Sequence, residues 1–296
     1  MIDFRSLSTF VWVARLGGFR LAAKKLNTTQ PAVSQRIARL EDELGVKLMV
    51  RDRKSVALTD SGRVVMDFAE RLLQLRGEMV ASISDRSRIR GAMRIGVAET
   101  IVHSWLPRFL ERMSIDFPGV ALEIEVDISP NLRGLLLGQQ IDLAFLVGPI
   151  SAPTIRNRLL CVERLGFYAS PALGFGGRKT TLARIVEHPI ITFSRNTQPF
   201  VGLSELLADP SLPLPRIHAS ASLATIVRMA LDGIGVATIP KSVARGEVRQ
   251  GKLVEIRCEA RMPDLRFVAG WLATPDAGLV RHAVDMAVAV AGTSKR

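Results

Sequence analysis

The amino-acid sequence predicts an N-terminal all-α winged helix-turn-helix head, a long linker helix, and a two-lobed α/β body. Three observations carry this. Residues 19–45, FRLAAKKLNTTQPAVSQRIARLEDELG, read as two short amphipathic helices around a polar turn. Residues 65–79 repeat apolar side chains at spacings of three and four. From residue 93 onward, apolar strand-like runs alternate with helical stretches.

In the head, Phe19, Leu21, Ala22, Ala23 and Leu26 make one short apolar face. Asn27, Thr28 and Thr29 are turn and N-cap residues, and Pro31 suits a first helical turn, where a missing N–H costs nothing. In the second helix Val33, Ile37, Leu40 and Leu44 form one buried stripe. Pro31, Ser34, Gln35, Ala38 and Arg39 then point away from it, a small or hydrogen-bonding face of the kind a groove-reading helix needs. Two amphipathic helices and a polar turn also occur in proteins that never touch DNA, so the next segment matters. In 46–62, VKLMVRDRKSVALTDSG, Arg51, Arg53 and Lys54 crowd a hairpin with Val56 and Leu58 alternating behind them. This pattern suits a wing that carries cations toward phosphates or the minor groove; the alternative is a solvated basic turn.

Thr59 caps the long helix, and Asp60 favours its positive end. Along it Val65, Phe68, Leu72, Leu75 and Met79 recur at three, four, three and four, a heptad seam. The seam needs a partner, most simply the same helix of a second subunit; the alternative is packing onto the chain's own head. Ser84–Arg90, SDRSRIR, reads as a hinge. The domains are therefore a head at 1–62, a linker and dimerisation segment at 59–90, and a body at 91–296.

In the body, strands are expected at Met93–Ala98, Ala121–Ile128, Ile141–Val147, Glu163–Ala169, Ile190–Phe193, Arg216–Ala219, within Asp232–Pro240, and at Leu265–Ala273. Helices are expected from Thr100 through Met113, over Pro130–Leu137 after Ser129, from Ser222 to Leu231, and over Gly278–Ala291. The near-continuous apolar run IDLAFLV suits a buried parallel sheet covered on both faces. Two lobes with chain crossings near Val162–Gly166 and Pro263–Phe267 fit the order. Lobe I spans about 91–162 and 267–296, and lobe II about 163–266.

Composition agrees. The chain has 296 residues, a net charge of +12 and a mean hydropathy of +0.22. Residues 1–90 hold 17 Lys and Arg against 10 Asp and Glu, over half of the excess in under a third of the length. A polyanion is the natural partner. The start MIDFRSLSTF has no long apolar run behind a basic leader, so no signal peptide is expected, and no apolar run approaches the about 18 residues that span a bilayer.

Residues 1–62 resemble the DNA-binding domain of LysR-type transcriptional regulators. The resemblance rests on Phe10, Gly18-Phe19, Ala22-Ala23, Leu26, Gln30-Pro31-Ala32-Val33-Ser34, Ile37, Leu40-Glu41, Leu44-Gly45, Leu48, Arg51 and Leu58-Thr59-Asp60-Ser61-Gly62. Gly18 replaces a frequent Ser and Met49 a usual Phe. The body is similar, more weakly, to the family's effector-binding domain, which has a periplasmic-binding-protein-like fold. The matching pieces include Arg94-Ile95-Gly96-Val97, Leu106-Pro107, Phe117-Pro118, Leu132 with Gly138, Ile141-Asp142-Leu143-Ala144, Pro171-Ala172-Leu173, His188-Pro189, and Gly233-Ile234-Gly235-Val236 with Ile239-Pro240.

The resemblance implies a cytoplasmic homodimer or homotetramer that binds double-stranded DNA, a small-molecule effector and RNA polymerase. It places Gln30, Pro31, Ala32, Ser34 and Arg36 at the major groove, with Thr29 and Gln35 beside them; the helical wheel puts Arg36 toward the flank, nearer phosphate. Arg51, Arg53 and Lys54 would hold backbone or minor groove. The effector would lie between the lobes, near Glu99, Thr100, Ser129, Phe193, Ser194, Arg195 and Ser222, with Glu99 an unusual residue at its position. Three helices opening on Thr100, Ser129 and Ser222 would offer hydroxyls, free N–H groups and dipole ends to a carboxylate, so an organic or aromatic acid is expected. Arg195 would pair with its anionic group, or else stay in solvent.

No catalytic residue, metal site or cofactor is expected. His103, His188, His218 and His282 are scattered, and Gly233-x-Gly235 lacks the third glycine of a dinucleotide fingerprint and precedes a strand. Cys161 and Cys258 are too few for a disulfide framework and lack the context of peroxide-sensing relatives, so inert thiols are expected. The competing functions are an effector-independent DNA binder and a solute-binding receptor. The basic head argues against the receptor, and the two-lobed body against the effector-independent binder.

Overall fold

The structure, a computed structural model, describes residues 2–51, 56–83, 89–176, 179–274 and 278–293. The chain folds into two compact units: residues 1–88 with 272–282, and 89–271 with 283–296.

The first unit opens with α1 (Phe4–Leu16), whose N-cap Asp3 accepts the Ser6 N–H at 2.8 Å. α2 (Phe19–Lys25) and α3 (Gln30–Leu44) follow, then a two-stranded antiparallel wing of β1 (Met49–Arg51) and β2 (Val56–Leu58), and α4 (Asp60–Ile83). Phe10, Val11 and Val13 of α1 close over Ala22 of α2 and Val33, Ile37 and Leu40 of α3, all buried. α4 turns Ala69 and Leu73 into this core. Val65, one turn before Ala69, therefore packs partly on the core as well. Phe68, Leu72, Leu75 and Met79 stay exposed. The expected seam thus loses its first member to the head itself.

Glu41 ties α3 to the wing. It is 8 % exposed and accepts the backbone N–H groups of Leu48 at 2.9 Å and Met49 at 3.3 Å, while the Lys47 ammonium donates to it at 2.7 Å. Gly62 lets α4 pass close beneath, because a Cβ there would stand 2.1 Å from the Leu48 carbonyl oxygen.

The second unit holds two five-stranded sheets. The first has the order β4-β3-β5-β12-β6, built from β3 (Gly91–Val97), β4 (Val120–Val126), β5 (Leu143–Val147), β6 (Ile155–Glu163) and β12 (Leu265–Leu272). Its helices are α5 (Glu99–Val102), α6 (Leu106–Asp116) and α7 (Ser129–Leu137). The second sheet has the order β11-β7-β10-β8-β9, from β7 (Leu165–Ala169), β8 (Ile190–Phe193), β9 (Ile217–Ser220), β10 (Val236–Pro240) and β11 (Val254–Ile256). With it run α8 (Leu182–Val186), α9 (Gln198–Leu206), α10 (Leu223–Leu231) and α11 (Lys241–Arg249). The last helix is α12 (Gly278–Thr293).

The sheets are mixed rather than parallel. β3 pairs parallel with β4 and β5, and β8 with β9 and β10. β12 runs antiparallel to β5, and β7 antiparallel to β10 and β11. The reversals fall on strands that receive the chain as it passes from one sheet to the other. The helix expected over Thr100–Met113 is broken into α5 and α6, because Pro107 has no N–H for a continuous helix and starts a new one instead.

Trp105, Phe109 and Phe145 form a buried aromatic cluster, Phe145 lying 5.3 Å from each of the other two rings. The Arg94 guanidinium donates to Asp142 at 2.8 Å and to the Gln139 carbonyl at 3.1 Å, fastening the turn after α7 to β3. On the outer edge of the first sheet, β4 exposes Glu123, Ile124, Glu125 and Val126.

Burial alone would raise the Glu41 pKa, but the Lys47 ammonium and the two backbone N–H groups outweigh it and hold the carboxyl below its ordinary 4.5. Its stabilisation is therefore complete above pH 4.5 and is lost as pH falls through the lower folded value. Glu41→Gln should cost about 1–3 kcal/mol at pH 7 and less at acid pH, read by urea unfolding across pH. A pH-independent loss would contradict the charge pairing.

Candidate DNA-reading face and ligand cleft

On α3, Val33, Ile37 and Leu40 face the core, so the opposite side of the first two turns is bare. The N-cap Thr29 accepts the Ala32 N–H at 3.4 Å, and Gln30 Nε2 donates to Ser34 Oγ at 3.4 Å. Thr29, Gln30, Pro31 and Gln35 are exposed, while Ala32, Ser34 and Arg36 are half-buried. Arg36 stands on the flank, lining a groove with Arg5, Asn27, Thr28 and Arg76. Arg5 and Arg76 carried no signal in the sequence, being single cations far from the motif. Arg51 ends β1, its backbone paired with Val56. Arg53 and Lys54 lie outside the described residues, as does most of the expected hinge.

In the second unit a cavity of about 340 Å³ opens between the two sheets. The first sheet's side contributes Ala98, Glu99, Thr100, Val126, Asp127, Ile128, Ser129, Val147, Leu265 and Phe267. The other side contributes Phe193, Thr197, Pro199, Ala221 and Ser222. Of the residues expected here, Glu99, Thr100, Ser129, Phe193 and Ser222 meet on the cavity. Ser194 and Arg195 do not line it; the Arg195 guanidinium lies 5.5 Å from the Phe200 ring instead. Asp127, Thr197, Leu265 and Phe267 were not legible as cleft residues, because they come from loops and strand ends brought together only by the two chain crossings.

The expectation of three free helix ends is corrected. Thr100 is a buried second residue of the four-residue α5, whose N-cap is Ala98. Ser129 is the first residue of α7, and its hydroxyl accepts the Val147 N–H at 3.0 Å, tying the helix to the end of β5. Only Ser222 caps, accepting the Thr225 N–H at 3.3 Å. α5 and α7 start earlier than their hydroxyl residues suggest, at Glu99 and Ser129, whereas α10 starts directly after its cap Ser222. α10 is occupied too. Glu99 accepts the Leu223 N–H at 2.5 Å, the Ala224 N–H at 3.1 Å and the Ser222 hydroxyl at 3.4 Å.

Among the described residues no group of three or more His, Cys, Asp or Glu could hold a metal ion. Nor is any helix among them long and apolar enough to cross a membrane.

A polar helix face on a helix-turn-helix head, together with a cleft-bearing two-lobed body, defines a DNA-binding regulator with a ligand-responsive domain. The bacterial regulatory helix-turn-helix protein of the lysR family matches residues 4–63, and the LysR substrate binding domain matches residues 86–291. The chain belongs to the LysR family of transcriptional regulators.

Among its relatives, the regulator BbuR of Bordetella bronchiseptica is 28% identical over 86% of this chain and 78% of its own. The regulator CzcR of Bacillus thuringiensis is 28% identical over 88% of this chain and 84% of its own. In fold the chain is similar to ArgP of Mycobacterium tuberculosis, with a TM-score of 0.60 at 22% identity, covering 98% of both chains. It is also similar to CbnR solved with its target DNA, with a TM-score of 0.52 at 21% identity, covering 97% of this chain and 100% of that one.

Burial pushes the half-buried Cys258 thiol above its ordinary pKa, and Cys161 is buried outright. Cys258 is therefore protonated at neutral pH and a poor nucleophile. Iodoacetamide should label it more slowly than free cysteine at pH 7, and mass spectrometry of native protein should find Cys161 unlabelled. Labelling of Cys258 faster than free cysteine would show an activated thiol.

Proposed function

We propose that this chain is a sequence-specific transcriptional regulator, not a catalyst, working in the bacterial cytoplasm under control of a small molecule held between the lobes of its body. The observation that carries this is the first turn of α3: a polar, exposed face on a helix whose other side is sunk in the head. Gln30, Pro31, Ala32 and Ser34 meet base edges, and Thr29, Gln35 and Arg36 meet the groove rim and phosphates. Arg51, Arg53 and Lys54 hold the backbone or minor groove.

The exposed row Phe68, Leu72, Leu75 and Met79 pairs subunits into a homodimer or homotetramer and sets the spacing of two half-sites. Ligand in the cleft, touching Thr100, Ser129 and Phe193, changes how subunits pack, and through that the DNA contacts and the access of RNA polymerase. An organic or aromatic acid, as expected from sequence, turns its acid head toward the adjoining recess of about 330 Å³, where Arg133 stands beside Ser129 and Thr197.

Incubating the protein with fragmented genomic DNA and sequencing the retained fragments tests the reading. A few dyad-symmetric sites are expected; uniform retention that vanishes at physiological salt would leave only phosphate binding. Gln30→Ala should relax specificity at one base pair by about 1–3 kcal/mol, while Arg36→Ala should weaken all sequences and flatten the salt dependence. Leu72→Glu with Leu75→Glu should halve the mass of the smallest assembly in analytical ultracentrifugation without unfolding the head, because both side chains are already exposed.

A further inference from the structure

The two lobes of the cleft share one carboxylate. Glu99 stands on α5 in the first lobe, yet its oxygens accept the Leu223 and Ala224 N–H groups and the Ser222 hydroxyl in the second. These donors belong to the open first turn of the nine-residue α10, where unpaired N–H groups and the helix dipole attract an anion. Ser222 takes the Thr225 N–H. Three successive donors of α10 are thus engaged without any ligand. Glu99 also has His103 Nε2 at 3.5 Å. Among the described residues lining the cavity there is no Lys or Arg, and the second acid there is Asp127.

We propose that Glu99 is the specificity-determining residue of the cleft: a resident carboxylate that fills the anion subsite of α10, so that the part of the ligand seated there is uncharged. This rests on the reading of the cleft as the effector site. A ligand carboxylate brought to α10 meets a like charge and donors already used. An uncharged apolar group finds Phe193, Phe267, Val126 and Leu265. The same three bonds hold the two lobes to each other, so Glu99 does inside the chain what an acidic ligand would do from outside.

The test is chemical rescue in the full-length chain, without DNA. Glu99→Ala removes the carboxylate and leaves its space. The variant should melt about 3–8 °C below the parent, and sodium acetate should raise its melting temperature saturably above a sodium chloride control of equal ionic strength. The parent should show no such difference. Glu99→Gln, which keeps the shape and fills the space, should melt lower than the parent and ignore acetate.

An equal acetate response in parent and Glu99→Ala would overturn the proposal, and so would a Glu99→Gln chain as stable as the parent. If Glu99→Ala does not fold, Glu99→Gln alone decides. None of these readouts involves DNA, so failure here leaves promoter recognition to its own test.

Discussion

The body depends on one topological constraint: its chain passes between two sheets twice. The first passage joins β6 to β7, and the second returns to β12. A strand that enters a sheet by crossing from the other one does not arrive through a helical crossover, so nothing forces it to run parallel to its neighbour. β7 and β12 accordingly run antiparallel, beside strands that otherwise keep a parallel order. Five of the other strands, β3, β4, β5, β8 and β9, end on the cavity, at Ala98, Asp127, Val147, Phe193 and Ala221. Ligand sites of open α/β sheets lie beyond carboxyl strand ends, and here two such sets of ends enclose one space.

The head obeys a different constraint. α3 must be anchored firmly on one side and bare on the other. Its apolar stripe supplies adhesion to α1 and α2, and Glu41 supplies direction by binding the backbone of the wing. A buried carboxylate that satisfies two amides and an ammonium is costly to move, so helix and wing keep a fixed relation. Gly62 permits this closeness by leaving room for the Leu48 carbonyl.

The sequence made the helix-turn-helix, the long helix and the chief apolar strands readable, because each is written in a local period. What it hid is non-local. β6, IRNRLLCVE, mixes charge with apolar residues and has no clean alternation. α8, α9 and α11 are short, and the split between α5 and α6 hangs on Pro107. The heptad of α4 was readable, but not that Val65 falls to the core, because the rotation of the helix is set by Ala69 and Leu73 entering the head's core beside α1. In the cleft, Glu99 and Ser222 were both legible as candidates. Their bond was not, since it joins residues more than a hundred positions apart and no pattern encodes it.

Among the described residues, β4 ends the first sheet with a row of backbone groups that has no further strand to pair with in that sheet. An open edge of this kind is a template on which other chains can add and fibrils can grow. Glu123 and Glu125 stand exposed on it beside the apolar Ile124 and Val126. A second strand laid alongside in register would bring like charges face to face at each glutamate, and so would every strand after it. Two acidic side chains on this edge thus disfavour the addition of a further strand to the first sheet.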